Sequence, residues 1–342
     1  MSKPRKPRGR RQAQRSKFKN DEKFFTKEDI FLSRMASILL VDKKLVKSFF
    51  SQRNVSTIRL NNLLEDPQKI KQHLIDAGLD LIEVDWSPNT YIVSNMDKSE
   101  LGRMQEYDRG LFYIQNLSSM LPVIVLDPQP GEKILDMTAA PGSKTSMIAA
   151  LTGNEVEMIA NEEDHRRAGK LRAVLSQFGV KHTQVTEKDA RFIGKALPDH
   201  FDKVLLDAPC SGEGLVYLRG DKPLRFWNIK KIKHMSSLQK QLITSAFDTL
   251  KPGGELIYST CTLEPEENEG VVTHLVEQRK NARIDKIDLV NSDSFKEFSR
   301  FTTRGIVKWS GNRFHQESAR AIRVIPSAQM QGFFISKISK KK

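Results

Sequence analysis

The fold is decided by the stretch KILDMTAAPGSKTSMIAAL, residues 133–151. Residues 133–137 are a short, mostly apolar run, which predicts a buried strand. Residues 138–145 are small, polar or helix-breaking, and residues 146–151 return to a pattern typical of a helix. A strand, a small-residue loop and a helix in this order are typical of an α/β unit whose loop backbone comes close to a ligand.

The same alternation continues downstream of this stretch. Further strands are predicted at 156–160, 182–185, 201–207 and 255–259, and helices at 166–178 and 236–250. Each strand is followed by an acid, a glycine loop or a cysteine. Short apolar strands alternating with helices predict an α/β fold with a doubly wound, Rossmann-like, mostly parallel sheet. In such a sheet, ligands bind beyond the carboxyl ends of the strands.

The charge is strongly basic and unevenly distributed. The 342 residues carry a net charge of +14, and residues 1–20, which we call the basic arm, hold nine Lys or Arg and no acid. Such a segment cannot bury apolar surface, so we predict a disordered tail. A basic arm on a basic protein favours contact with nucleic-acid phosphates, although a solubilising tail or a nuclear address in a eukaryotic cell are alternatives.

The region between the basic arm and residue 110 has a different pattern. It predicts a helix over 24–50, a strand over 56–60, a helix over 66–77 and a strand pair within 81–92. We therefore expect a smaller N-terminal α+β domain over 21–110 that binds RNA, followed by a second domain over 111–342. Its interleaved basic residues either follow an RNA backbone or form an ordinary solvated surface: Lys43, Lys44, Lys47, Arg53 and Arg59.

Composition limits the environment and the cofactors of the protein. Two cysteines cannot form the disulfide framework of a small secreted domain, and the seven histidines show no metal-ligand spacing. No apolar run approaches the roughly 20 residues that cross a bilayer. We expect a monomer without metal in the cytoplasm, or in the nucleus or nucleolus of a eukaryotic cell, with no membrane partner.

The loop after the first strand of the second domain is not a nucleoside-triphosphate loop. Thr138 and Ser143 stand where the phosphate-binding motif requires glycine. Small residues still let the backbone approach a ligand, and Glu162, one βα unit later, is placed to accept hydrogen bonds from ribose hydroxyls. A cofactor with ribose and adenine but no required phosphate fits this pattern, which points to S-adenosylmethionine.

The two cysteines lie just beyond predicted strands. Cys210 is in LLDAPCSGEG, residues 205–214, and Cys261 is in YSTCTL, residues 258–263. Residues at strand ends in an open α/β sheet face the ligand crevice, so both thiols are placed for chemistry. The alternative is that both are incidental small apolar residues.

Four segments carry a family resemblance: residues 115–120, 136–145, 207–214 and 259–269. With its Pro-Cys and Thr-Cys motifs in this order, the chain resembles the Sun/RsmB (NOL/NOP/Sun) family of S-adenosylmethionine-dependent RNA cytosine-5 methyltransferases. The resemblance implies a class I methyltransferase fold, a catalytic domain over 111–342 and a substrate cytosine in tRNA or rRNA.

The resemblance also implies a cofactor site, in which Glu162 holds the ribose and Asp189 the adenine amino group. Two departures are visible, because many relatives carry cysteine at position 138 and glycine at position 143. Neither change removes a group that the chemistry needs. The implied cofactor-binding residues are Thr138, Ala139, Ala140, Pro141, Gly142, Ser143, Lys144, Glu162, Asp189 and Asp207.

The chemistry of cytosine explains the need for a thiol. Carbon 5 is too weak a nucleophile to take a methyl group directly, so a thiolate must first add at carbon 6. The ring then needs a donor or acid near nitrogen 3 and the amino group, for which Asp207 and Lys144 are candidates. Which group takes the carbon 5 proton stays open. By the resemblance, Cys261 attacks and Cys210 assists breakdown of the covalent adduct.

The target carbon is inaccessible in a stacked helix, so the base must be single-stranded or flipped. Candidates for stacking on it are Trp227, Phe226 and Tyr217, near Arg219, Lys222 and Arg225. A core role for Phe226 and Trp227 is the alternative. The acidic segment Glu264–Glu269 predicts a helix start, since acids are favourable at a helix N-terminus, in preference to a direct catalytic role.

Two other functions compete with RNA cytosine-5 methylation. A non-catalytic RNA-binding or ribosome-assembly factor can keep a methyltransferase scaffold, but such a scaffold has no use for two thiols, Lys144 and Asp207. A DNA substrate is the second alternative, and the Thr-Cys motif disfavours it.

Overall fold

The computed structural model describes residues 26–342, so the basic arm predicted at 1–20 lies outside the described residues. The strands are β1 Ser56–Leu60, β2 Leu81–Glu83, β3 Thr90–Val93, β4 Phe112–Ile114, β5 Lys133–Asp136, β6 Glu157–Asn161, β7 Thr183–Thr186, β8 Phe201–Asp207, β9 Leu250–Thr260, β10 Ala282–Asp285, β11 Thr302–Arg304, β12 Lys308–Trp309, β13 Asn312–Arg313, β14 Ile322–Val324 and β15 Phe333–Lys340. The helices are α1 Lys27–Leu39, α2 Lys43–Phe49, α3 Pro67–Asp76, α4 Lys98–Leu101, α5 Gln105–Asp108, α6 Leu117–Leu126, α7 Ser143–Leu151, α8 His165–Gln177, α9 Ile193–Ala196, α10 Ile229–Asp248, α11 Glu269–Gln278 and α12 Lys296–Ser299.

The central sheet confirms the predicted doubly wound α/β fold. Its order is β11-β14-β15-β9-β8-β5-β6-β7, and β10 pairs with β15. Strands β5 to β9 are parallel, whereas β15 runs antiparallel to β9. From β5 the chain moves outward through β6 and β7, then returns to β8 on the other side of β5. That reversal creates the crevice where such sheets bind ligands.

Side chains of the parallel strands alternate between two apolar layers. On β5, Ile134 packs into one buried cluster and Leu135 into the other. On β8, Leu205 joins the first cluster, and Val204 and Leu206 join the second. Each fully buried side chain of this kind stabilises the fold by about 1.5–3 kcal/mol. Burial on both faces explains why these strands read as apolar runs in the sequence.

An antiparallel sheet precedes the central one, with the order β2-β3-β1-β4. Helix α3 covers it through Ile70 and Leu74, which pack on Ile58 and Leu60. Strand β4 lies beyond residue 110 yet pairs with β1. The division of the chain into domains stays a prediction.

Arg59 of β1 is not on the surface, as an RNA-contacting residue would be. It is 2% exposed, and its Nη2 donates to Ser146 Oγ of α7 at 2.9 Å. Burial lowers the pKa of Arg59 to about 10. The candidate role in following an RNA backbone is therefore wrong for Arg59, because its side chain joins the first sheet to α7.

Three predicted elements also differ in their boundaries. The predicted helix 24–50 is two helices, α1 and α2, since Leu40 takes a left-handed conformation (φ 55°) that ends α1. Helix α10 begins seven residues before the predicted residue 236, where the side chain of Asn228 accepts from Lys231 N at 2.8 Å. Strand β9 begins at Leu250, five residues before the predicted residue 255.

None of the helices within residues 26–342 combines the length and the apolar character needed to cross a membrane.

Candidate active site

A cleft of about 760 Å³ opens at the carboxyl ends of the parallel strands, beside the point where the strand order reverses. We call it the active-site cleft. The predicted site residues that line it are Thr138, Ala140, Glu162, Asp189, Asp207, Cys210 and Cys261. Residues that lie 123 positions apart in the sequence therefore meet at one edge of the sheet.

The remaining predicted loop residues do not line the cleft. Ala139 packs into a small apolar cluster with Leu171, and Lys144 is 7% exposed. Gly142 has a positive φ of 112°, and a Cβ there would lie 3.0 Å from Leu171 Cδ1. These residues form the loop and the first turn of α7. Helix α7 begins at Ser143, three residues before the predicted start at residue 146.

Asn161 holds the backbone after β5 through hydrogen bonds, and the sequence analysis did not identify it. Its Nδ2 donates to Met137 O at 3.2 Å and to Lys188 O at 2.9 Å, and its backbone carbonyl accepts from Ala139 N at 2.8 Å. Asn161 is 1% exposed. The available signal was its position at the end of β6, directly before Glu162.

Glu162 has a free acceptor at the cleft. It is 4% exposed, and its Oε1 accepts from Asp164 N at 3.1 Å and from Arg167 Nη1 at 3.2 Å. Its Oε2 is buried and accepts no hydrogen bond, although Arg167 Nη1 lies 3.1 Å away. A buried carboxylate oxygen that lacks a donor is suited to a ligand hydroxyl.

Asp189 forms an ion pair with Arg191, a residue that the sequence analysis did not identify. Arg191 donates to it from Nε at 2.9 Å and from Nη2 at 2.5 Å. These hydrogen bonds hold the pKa of Asp189 below its usual range. The negative charge of Asp189 at the cleft is thus shared with a cation.

Asp207, which lines the cleft, forms an ion pair with the nearly buried Lys144. Lys144 Nζ donates to Asp207 Oδ2 at 2.6 Å and to Ser119 Oγ at 2.8 Å. Ser259 Oγ donates to Asp207 Oδ1 at 2.7 Å, and Thr138 Oγ1 donates to the Asp207 carbonyl at 2.9 Å. Both carboxylate oxygens of Asp207 therefore have fixed directions, and Ser119 and Ser259 are supporting residues that motif reasoning missed.

The two cysteines meet at the end of the cleft. Their sulfurs lie 3.0 Å apart, and both thiols are free and partly buried. The contact with Cys261, together with burial, raises the pKa of Cys210 well above its usual value. At this distance either thiol can donate a hydrogen bond to the sulfur of the other.

Gly214 ties the Pro-Cys loop to the Thr-Cys loop. Its N–H donates to Cys261 O at 3.0 Å, and its carbonyl accepts from Gly332 N at 3.1 Å. A Cβ on Gly214 would collide with the carbonyl oxygen of Gly332. Glycine at position 214 is thus required by close backbone approach.

The acidic segment after Cys261 does not start a helix where predicted. Residues 265–268 form a turn, and α11 begins only at Glu269. Glu264 binds Arg34 at 2.6 Å, and Glu269 binds Arg323 at 2.5 Å. The predicted helix start is therefore placed too early: the helix begins at the last residue of the segment, and the half-buried Arg34, rather than a helix N-terminus, binds Glu264.

The aromatic candidates for base stacking separate into core and surface. Trp227 is 4% exposed and meets Phe31 edge to face at 5.4 Å, which is a core role. Phe226 is 72% exposed, and Tyr217 is 37% exposed. Tyr217, Phe226 and Lys222 line the mouth of the active-site cleft. Phe226 and Tyr217 stay candidates for base contact.

Within residues 26–342 no group of three His, Cys, Asp or Glu side chains is arranged to hold a metal ion.

A reversing α/β sheet with a small-residue loop and acids at its carboxyl edge defines the class of protein, a class I methyltransferase. The family model described as 16S rRNA methyltransferase RsmB/F matches residues 123–339. The chain belongs to this family of RNA methyltransferases, which confirms the predicted family and enzyme class.

Two curated relatives, one named for tRNA and one for ribosomal RNA, are similar to the chain. It is 39% identical over 285 residues to the tRNA (cytosine(49)-C(5))-methyltransferase of Pyrococcus abyssi, covering 83% of this chain and 88% of that protein. It is 40% identical over 255 residues to the ribosomal RNA small subunit methyltransferase F of Vibrio parahaemolyticus, covering 73% of this chain. The chain spans about half, 53%, of that bacterial relative.

A solved structure has the same fold. The methyltransferase homolog protein from Pyrococcus horikoshii superposes with a TM-score of 0.71 at 30% sequence identity. The match covers 90% of this chain and 99% of that one. The described architecture is therefore that of a known methyltransferase-like structure over nearly its whole length.

Proposed function

We propose that this protein transfers a methyl group from S-adenosylmethionine to carbon 5 of a cytosine in tRNA or rRNA, through a covalent cysteine–cytosine adduct. The observation that carries the proposal is the 3.0 Å separation of the Cys210 and Cys261 sulfurs at the end of the active-site cleft. Two adjacent thiols suit a reaction in which one sulfur bonds to the base and the other assists its release.

The residues of the cleft fit the proposed cofactor. Glu162 offers its unbonded Oε2 to ribose hydroxyls, and Asp189 lies on the same cleft for the adenine amino group. Thr138 and Ala140 line the intervening wall. When bound, S-adenosylmethionine supplies an electrophilic methyl group on a sulfonium. This assignment of the cofactor-binding residues stays a proposal.

Cys261 is the proposed nucleophile. Its thiolate forms a bond to carbon 6, and the electron pair of the 5,6 double bond moves to make carbon 5 nucleophilic. After methylation, carbon 5 loses its proton, the 5,6 double bond forms again and the sulfur leaves as the thiolate. Cys210, whose sulfur lies 3.0 Å from that of Cys261, assists this last step as a hydrogen-bond donor to the departing thiolate.

Asp207 and Lys144 are the proposed partners of the pyrimidine. Asp207 faces the cleft with both oxygens held by Lys144 and Ser259, so it needs no reorganisation to meet nitrogen 3 and the amino group. Lys144 balances its charge from a nearly buried position. The Asp207 carboxylate accepts a hydrogen bond from the amino group, and the positive charge of Lys144 offsets the electron density that develops on the ring.

RNA is the proposed partner, and the protein acts as a monomer. Exposed Phe226 and Tyr217 at the cleft mouth offer faces for an unstacked base, with exposed Lys222 and Arg225 beside them for phosphates. A tRNA is the first substrate to test, because the chain covers 88% of the relative named as a tRNA methyltransferase. The larger relative named for ribosomal RNA makes small-subunit rRNA the second.

The test is methyl transfer from labelled S-adenosylmethionine to tRNA, rRNA and DNA by the wild-type protein and two alanine variants. We expect transfer to RNA, no adduct in Cys261→Ala, and lost turnover with an accumulating protein–RNA adduct in Cys210→Ala. The reverse adduct pattern would contradict the assignment of the thiols. Absence of transfer to any RNA would favour the RNA-binding scaffold, and transfer to DNA alone would favour a DNA enzyme.

A further inference from the structure

Two buried glutamates lie beneath the cysteine loops without a salt bridge to either in the described part of the chain. Glu213 and Glu267 are both 0% exposed. The residues that follow the two cysteines, Ser211 and Thr262, direct their hydroxyls at this pair. Burying two carboxyl groups without a salt bridge costs free energy. The mechanism proposed above uses neither carboxyl group, so a further role for them is expected.

Glu267 holds the backbone on both sides of Cys210. Its Oε2 accepts from Ser211 N at 3.0 Å and from Gln239 Nε2 at 2.8 Å. The same Gln239 Nε2 donates to Pro209 O at 2.8 Å. The position of the Cys210 sulfur is therefore set through the two peptide groups that flank it.

Glu213 connects the hydrogen bonds around Cys210 to the residue that follows Cys261. Its Oε2 accepts from Ser211 Oγ at 2.7 Å and also from the hydroxyl of Thr262, the residue after Cys261. Ser211 Oγ contacts Glu267 Oε1 as well. A continuous chain of hydrogen bonds thus runs from the peptide after one cysteine to the residue after the other.

The hydrogen-bonded network of Ser211, Glu213 and Glu267 has one contact more than it has hydrogens to donate, unless one carboxyl is protonated. A serine hydroxyl has one hydrogen, and an ionised carboxylate has none. Ser211 Oγ meets an oxygen of Glu213 and an oxygen of Glu267, and it can donate to only one of them. The second contact is a hydrogen bond only when a carboxyl is protonated and donates to Ser211 Oγ.

We propose that Glu213 and Glu267 share one acidic proton through Ser211, and that this proton keeps Cys210 at its working distance from Cys261. Glu267 is then a positioning residue for release of the covalent adduct, a role that rests on the proposed function. Loss of the proton leaves two like charges in a buried site, and the Cys210 loop loosens.

The surroundings of the pair favour the protonated state. Burial and the neighbouring Glu213 raise the pKa of Glu267 to about 7, and burial also raises the pKa of Glu213. Lys231 of α10 faces the pair, and its Nζ donates to Ser211 O at 3.0 Å. The other titratable groups around the pair are Glu264 in its pair with Arg34, Asp207 in its pair with Lys144, Tyr258, Cys210 and Cys261. We therefore expect adduct release to slow as pH rises above neutrality.

The shared proton is tested directly by infrared spectroscopy of the folded protein at pH 6.5. We expect carboxylic-acid C=O absorption that shifts in D₂O and loses one component in Glu267→Gln, while burial, which raises the pKa of Glu264 to about 8, keeps a second component in both proteins. A wild-type protein without such absorption would overturn the proposal. So would absorption that stays unchanged in both Glu267→Gln and Glu213→Gln. This measurement does not depend on enzymatic activity.

The positioning role is tested by the decay of the protein–RNA adduct between pH 6 and 9. Glutamine mimics a neutral acid, so Glu267→Gln should release adduct at a pH-independent rate, whereas the wild type slows at alkaline pH. Ser211→Ala breaks the hydrogen-bonded network and should slow release about tenfold at pH 6, as expected for losing a hydrogen bond to a charged group. At alkaline pH, where the wild type has lost the shared proton, the difference should be smaller. A Glu267→Gln protein with the wild-type pH profile would overturn the role. If Cys210→Ala traps no adduct, the proposed function fails while the infrared result still decides the shared proton.

Discussion

Cys210 and Cys261 differ in their surroundings although their sulfurs touch. Cys210 is held through both flanking peptides, and its pKa is raised by its partner sulfur and by burial. Cys261 follows β9, and its carbonyl accepts from Gly214 N. A thiol that keeps its proton is a poor nucleophile and a good proton donor. The fixed position of Cys210 is consistent with the proposal that Cys261 attacks and Cys210 assists.

Replacing Glu162 with glutamine tests the cofactor site at one atom. The substitution removes a charged acceptor whose Oε2 has no hydrogen bond within residues 26–342. We expect S-adenosylmethionine to bind about tenfold or more weakly, because a hydrogen bond to a charged group contributes about 1.5–3 kcal/mol. Titration calorimetry with S-adenosylmethionine measures the change.

Glu163→Gln is the matched control for that prediction. Glu163 is exposed and lies next to Glu162, so its substitution removes the same charge from nearly the same place. We expect its affinity for S-adenosylmethionine to stay near the wild-type value. Equal weakening in both variants would mean that general electrostatics, rather than a specific ribose contact, explains the loss.

Single residues could be predicted where a motif fixes them at a strand end. Glu162, Asp207 and the cysteines follow strands, and the structure brings them to one cleft. Residues defined by tertiary contacts could not be predicted. Arg59 and Glu267 are charged side chains whose burial depends on partners distant in sequence, Ser146 for the first and Ser211 for the second.

At the scale of elements, buried strands were predicted best. Strands β5 and β8 are apolar runs because helices cover both faces of the sheet, so their positions are visible in composition alone. Boundaries were predicted worst, since they depend on caps and backbone conformation. The break after α1 depends on the left-handed conformation of Leu40, and the order β9-β15-β14 depends on antiparallel pairing with the end of the chain.

Gly214→Ala tests the connection between the two cysteine loops. The added methyl group would collide with Gly332 O and lie 2.9 Å from Cys261 O. We expect a free energy of unfolding about 1–3 kcal/mol lower than wild type, as for other overpacked sites. Methyl transfer should fall as well, because the displaced loop carries Cys210. Urea unfolding and single-turnover transfer measure the two effects.

Gly169→Ala is the control for Gly214→Ala. Gly169 lies within α8, where a Cβ meets nothing within 4 Å. Alanine should stabilise that helix by about 0.5–1 kcal/mol and leave transfer unchanged. A Gly214→Ala protein as stable and active as Gly169→Ala would show that the loops tolerate separation.

At the scale of the whole molecule, distant segments converge on the active-site cleft. Helix α1 supplies Arg34, which binds Glu264 behind the Thr-Cys loop. The C-terminal region supplies Arg323, whose Nε and Nη2 bind Glu269 and whose Nη1 donates to Leu263 O at 2.8 Å. Removing one partner of such a buried ion pair costs about 3–5 kcal/mol. The loop after Cys261 is therefore braced from both ends of the described chain.

Buried acids predict a stability that falls as pH rises from about 4.5 to 8, where the upper limit is set by Glu264, whose pKa burial raises to about 8. Burial raises the pKa of Glu267 to about 7 and that of Asp136 to about 6. In this window the folded state keeps protons that the unfolded state releases, so unfolding becomes more favourable by up to about 1.4 kcal/mol per pH unit and group. Urea unfolding at several pH values measures the slope. Glu267→Gln should reduce it, and an unchanged slope would contradict the raised pKa.

The net charge of +14 predicts salt-sensitive binding of RNA. Each phosphate contact made by a lysine or arginine adds to the slope of log affinity against log salt, by about 0.7 for single strands. The basic arm carries nine of these residues, so deleting residues 2–20 should weaken RNA binding and reduce the slope. The turnover rate at saturating RNA should stay unchanged, because the active-site cleft is built from residue 137 onward. RNA affinity and turnover measured across a salt series separate the two effects. An unchanged slope would indicate that the arm is a solubilising tail, and lost turnover at saturation would indicate a role in the reaction itself.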